Sequence, residues 1–67
     1  MMQYSILIQY DVIDNIYVAS VPELKGCMAH GYTREEAMRE IQEAMQLQLE
    51  VMHEKGMLTP EPMLYAS

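Results

Sequence analysis

Thr33-Arg34-Glu35-Glu36, followed by apolar residues three and four apart, constrains this chain more than any other feature. Thr33 can accept the Glu36 amide while the Glu36 carboxylate reaches back, the reciprocal arrangement of a capping box. Two acidic residues in the first turn suit the positive end of a helix dipole. Ala37, Met38, Ile41, Ala44, Met45, Leu49 and Met52 then build one broad apolar face, with Arg39, Glu43, Gln46, Glu50 and Glu54 opposite. Gly56 is the expected stop. A single long helix therefore dominates the second half, and its apolar face needs a partner layer.

The first half supplies that layer. Tyr4, Ile6, Ile8 and Tyr10 fall on one face of an extended segment, with Ser5, Leu7 and Gln9 on the other. Asp14-Asn15 suits a turn. Ile16 to Val21 is β-branched and aromatic, a second strand that Pro22 ends by lacking an N–H. Pro22-Glu23-Leu24-Lys25-Gly26 makes a compact turn, and Cys27 to His30 a third short strand closed by Gly31. Thr59-Pro60-Glu61-Pro62 cannot be helical, and Met63-Leu64-Tyr65 could form a short edge strand. The expected fold class is α+β: a three-stranded antiparallel sheet with one helix on one face, and a β-β-β-α-β order if the last strand forms.

At 67 residues this is a single domain, 1–67, with a thin core. A chain this short buries about 60% of the surface that its unfolded form exposes, so disulfides, metals or association usually support it. One cysteine, Cys27, makes no internal disulfide and fits a reducing compartment. Association remains, and a homo-oligomer, most simply a dimer, is expected. No segment approaches the roughly 18 apolar residues of a membrane span. The N-terminus lacks a basic targeting region, which points to the cytoplasm. A net charge of −6 opposes nucleic acid and favours a basic protein partner.

No catalytic residue, cofactor site or metal site emerges. Cys27 and His30 have a C-x-x-H spacing, but residues three apart on a strand point to opposite faces. The bland reading of Cys27, a small buried hydrophobe, outweighs zinc by about twenty to one. Ser5 and Ser20 lie in strands without a nucleophile elbow or an activating base. Asp11 and Asp14 are better explained as solvated turn residues than as nuclease ligands. Met38, Met45 and Met52 recur every seven residues; core packing outweighs an adaptable contact stripe by about four to one. Gln48 falls on the apolar face, where a buried amide must find partners. It stands with the acidic Glu43 and Glu50 as a candidate for contact with another chain.

Tyr17-Val18-Ala19-Ser20-Val21-Pro22-Glu23-Leu24-Lys25-Gly26-Cys27 resembles the "YvA.vPdLpGC" signature of HicB-type antitoxins. Gly31-Tyr32-Thr33-Arg34-Glu35-Glu36-Ala37 resembles the "G-x-T-x-E-E-A" helix start of that family, and Thr59-Pro60-Glu61-Pro62 its "iPeP". Lys25 stands for a usual Pro, Asn15 for a usual hairpin Gly, and Tyr32 for a usual polar residue. The resemblance implies a truncated ribonuclease-H-like, HicB-like fold without the nuclease carboxylates. It implies an antitoxin of a type II toxin–antitoxin pair that is not itself an enzyme. Its partner would be a small, basic, mRNA-cleaving HicA-like toxin, neutralised by masking of its active surface. The chain corresponds to the stand-alone form without a DNA-binding domain, so direct nucleic-acid binding is not expected. The competing reading is a stand-alone homo-oligomeric domain that binds another protein or a small ligand, with no toxin.

Overall fold

The computed structural model describes residues 4–62. The elements run β1 (Leu7–Asp11), β2 (Ile16–Ser20), β3 (Met28–Gly31) and α1 (Arg34–Glu54), an α+β domain. The three strands form one antiparallel sheet in the order β1-β2-β3. Met63-Leu64-Tyr65, named above as a further strand, lie outside the described residues.

Strand alternation sets the two faces. Ile8 pairs with Ala19 and Ala19 with Ala29, placing all three on the helix side of the sheet. Leu7, Ser20 and Met28 form the matching row on the open side, where Leu7 and Met28 are exposed. Strand boundaries differ from the expected ones for local reasons. β1 begins three residues later than Tyr4 because Ser5 faces the Pro22 turn, which offers no ladder N–H. The Glu23 carboxylate substitutes, accepting the Ser5 amide at 2.9 and 3.1 Å and the Ser5 hydroxyl at 3.1 Å. β3 is shifted one residue towards Gly31, because Cys27 belongs to the preceding turn.

That turn is two tight turns in series. Leu24 N–H donates to Val21 C=O at 3.0 Å, and Cys27 N–H to Leu24 C=O at 3.1 Å. Val21 N–H donates to Cys27 C=O at 3.1 Å and closes the base. Gly26 takes φ +78°, the left-handed conformation that the second turn requires. The geometry folds Leu24 and Cys27 inward, beside Val21, into the core.

The helix start is the expected capping box with one change. Thr33, extended at φ −129° and ψ 163°, accepts the Glu36 amide through Oγ1 at 3.0 Å. The Glu36 carboxylate accepts from Tyr32 N–H at 3.0 Å, one residue before the cap's own amide. At the far end Gly56 has φ +67°; its N–H donates to His53 C=O and Met57 N–H donates to Met52 C=O, a Schellman closure. Ala37 and Ile41 are fully buried beneath the helix. Met38, Ala44, Met45, Leu49 and Met52 are half-buried and packed on the same core. The helix approaches the sheet through small groups: a Cβ added at Gly31 would lie 2.6 Å from the Ala37 nitrogen.

Candidate protein-binding site on the helix

A helix of this length rises about 1.5 Å per residue and outruns strands of five residues or fewer. Its C-terminal half therefore has less of the sheet beneath it. Leu47 is 63% exposed and Val51 39% exposed, four apart and so neighbours on one face. Around Leu47 the helical neighbours are Glu43 at i−4, Ala44 at i−3 and Glu50 at i+3; around Val51 they are Gln48, Glu54 and Lys55. An exposed aliphatic pair thus has glutamates along its solvent side.

The three residues singled out from the sequence surround this pair. Glu43 and Glu50 are exposed, and Gln48 is half-buried. Gln48 Nε2 donates to the Lys25 carbonyl at 3.3 Å, tying the helix to the Pro22–Gly26 turn. The amide thereby finds its donor partner inside the chain. Leu47 and Val51 were not part of the sequence reading, which followed only the face that runs through Ile41. Their signal was available: two large aliphatic residues four apart, outside the core stripe and among glutamates.

An open groove of about 690 Å3 runs along the helix on its other flank. Among the described residues Met45 and Leu49 line its half-buried part, with exposed Gln42, Gln46, Glu50, His53 and Glu54 around them. The hairpin tip is a further exposed region. Asp11 Oδ1 accepts from Ile13 N–H at 2.9 Å and from Asp14 N–H at 3.3 Å, leaving Val12 and Ile13 outward. Asn15, where the signature has Gly, takes φ +56°. Its Oδ1 accepts from the Tyr10 hydroxyl at 3.1 Å, and Tyr10 meets Tyr17 edge-on at 5.0 Å between ring centres. The Arg34 guanidinium sits 5.6 Å over the Tyr17 ring.

Cys27 is buried and His30 exposed, so the two do not converge. Burial pushes the Cys27 thiol above its ordinary pKa. Among the described residues no three His, Cys, Asp or Glu side chains are grouped to hold a metal ion. No helix among them is long and apolar enough to cross a membrane.

The family model described as "HicB_like antitoxin of bacterial toxin-antitoxin system" matches residues 4–66. The chain belongs to that family. The match spans the Pro22–Gly26 turn, the Gly31 closure, the capping box and the helix just described. A UPF0150 protein of Synechocystis is 42% identical over 48 residues, 72% of this chain and 68% of the relative. One from Thermoplasma acidophilum is 41% identical over 49 residues, 73% of this chain and 70% of its own. A third, from Archaeoglobus fulgidus, is 40% identical over 50 residues, 75% and 71% respectively. No solved structure matches the chain. Membership of the HicB-like family indicates the antitoxin role of a toxin–antitoxin pair, and with it a non-catalytic function and a toxin as counterpart.

Proposed function

We infer that this HicB-like chain neutralises a small, basic, mRNA-cleaving toxin of the HicA type by covering its active surface. The observation that carries this reading is the family match over residues 4–66. The charge supports it, since ten acidic against four basic residues attract a basic ribonuclease and repel its RNA. Inhibition of this kind needs no chemistry in the antitoxin. It requires a surface that excludes substrate, and the exposed aliphatic and acidic helix face has the character of one. Glu43 and Glu50 steer the encounter, and Gln48 contributes its Oε1, which has no partner among the described residues, as an acceptor. The domain acts in the cytoplasm as a homo-oligomer, most simply a dimer, without binding nucleic acid directly.

The test is co-expression with the product of the adjacent gene, followed by pull-down and an RNA-cleavage assay. A stoichiometric complex that suppresses cleavage is the expected result. Failure to bind any small basic ribonuclease encoded beside this chain overturns the reading.

A further inference from the structure

We propose that the Leu47–Val51 face of α1 is a docking surface for a basic amphipathic helix of the partner protein. The proposal deepens the antitoxin reading and rests on it for the partner's identity. Side chains packed on the core need no further cover, but Leu47 at 63% and Val51 at 39% exposure lie outside that packing. With Ala44 they make a stripe at i, i+3 and i+7, the spacing by which one helix seats against another. The stripe spans about two helical turns, enough to engage two or three aliphatic side chains of a facing helix.

Charge selects the occupant. Glu43 and Glu50 adjoin Leu47, Glu54 adjoins Val51, and Glu40 adjoins Ala44; Lys55 is the one cation at helical spacing of three or four from the stripe. All four glutamates are exposed. Two copies paired through this face, parallel or antiparallel, would set glutamates against glutamates around a drying aliphatic centre. Like charges brought together this way are penalised, so the face discriminates against itself. A partner helix with Leu or Ile at the same spacing and Lys or Arg along its flanks meets both requirements at once. Two other exposed apolar groups, the open sheet face and the hairpin tip, offer no comparable match. The open sheet face carries Leu7, Val18 and Met28 among Gln9, Ser20 and His30, and the Asp11 carboxylate at the hairpin tip is held by its own turn.

The probe is a synthetic helical peptide with leucine at alternating third and fourth positions and lysine along both flanks. Its control carries glutamate in place of every lysine. Titrated into the full chain, the lysine peptide is expected to move the amide NMR signals of Ala44, Leu47 and Val51, and the control to leave them unmoved. Leu47→Asp should weaken binding at least tenfold, and Glu43→Lys/Glu50→Lys similarly. Leu47 is exposed, so circular dichroism should show both variants folded; Val51→Lys provides a second apolar disruption. Equal binding of the two peptides, or shifts confined to Val12–Ile13 or the open sheet face, overturns the proposal. So does a dimer that Leu47→Asp converts to monomer, which would show the face already covered by a second copy. If the adjacent toxin is retained undiminished by Leu47→Asp, this surface is wrong while the antitoxin reading stands. If the lysine peptide binds as expected but no toxin does, the surface stands and the antitoxin reading fails.

Discussion

Two glycines in this chain are required for different reasons, and substitution separates them. Gly26 has φ +78° with nothing within 4 Å of an added Cβ, so Gly26→Ala meets only backbone strain and should cost about 1 kcal/mol. Gly31 has no such φ, but its Cβ would strike the Ala37 nitrogen at 2.6 Å and the Glu36 carbonyl carbon at 2.9 Å. Backbone atoms cannot rotate away, so Gly31→Ala must lift the helix and should cost about 1–3 kcal/mol. Urea midpoints that rank Gly26→Ala as the more damaging change would contradict the close approach. Glu23 is a comparable case among polar residues. Its carboxylate takes both donors of Ser5, and Glu23→Ala should lower stability by about 1.5–3 kcal/mol, with Glu23→Gln losing less. The Cys27 thiol gives a pH signature. Burial raises its folded pKa, so the unfolded chain releases the proton first as pH rises. The stabilisation is present below the unfolded thiol pKa and is lost as pH climbs through the folded value. Wild type should therefore lose stability faster above about pH 9 than Cys27→Ala does. Parallel curves for the two proteins would refute this.

At the scale of the helix, the ends and the buried face make separable contributions. Thr33→Ala removes the acceptor for Glu36 N–H and should cost about 1 kcal/mol. Ile41→Ala opens a cavity under a fully buried position and should cost about 2–5 kcal/mol. Met45 is only half-buried, so Met45→Ala should fall clearly below Ile41→Ala. Denaturant unfolding of the three variants checks the order. This helix was legible in the sequence because its signals are local: a threonine followed three residues later by glutamate, a repeat of three and four, and a terminal glycine. The strands were legible as alternating runs, but their ends were not. β1 begins only after Ser5 because Ser5 faces Pro22, which has no N–H to donate. The Ser5 amide is taken instead by Glu23, eighteen positions away, a relation no local pattern encodes. Gln48 shows the same limit at the candidate site. The sequence marked it as an amide needing a partner on an apolar face, but that its partner is the Lys25 carbonyl depends on the turn beneath the helix. Leu47 and Val51 were hidden for the opposite reason. Attention to the face that packs on the sheet passes over the aliphatic residues beside it, and only exposure in the fold distinguishes them.

For the whole molecule, charge and shape act on different parts of binding. The net charge of −6 creates a field felt before contact, whereas Leu47 and Val51 act only once surfaces meet. Salt screens the first over about 10 Å at 0.1 M and leaves short-range apolar packing largely intact. Association of the toxin should therefore slow as salt rises, while dissociation changes little. The variants extend the argument. Glu43→Lys/Glu50→Lys shifts the net charge from −6 to −2, two residues each changing by two, and it does so beside the proposed contact. Its association should be slower than wild type at low salt and converge with wild type at high salt. Leu47→Asp adds a negative charge, so its association should be no slower than wild type, and its loss should appear as faster dissociation. Stopped-flow association and competition-dissociation measurements at two salt concentrations, on wild type and both variants, resolve these effects. Salt-independent association in wild type would remove electrostatic steering from the account while leaving aliphatic docking intact. Unchanged dissociation in Leu47→Asp would remove the docking and leave the steering.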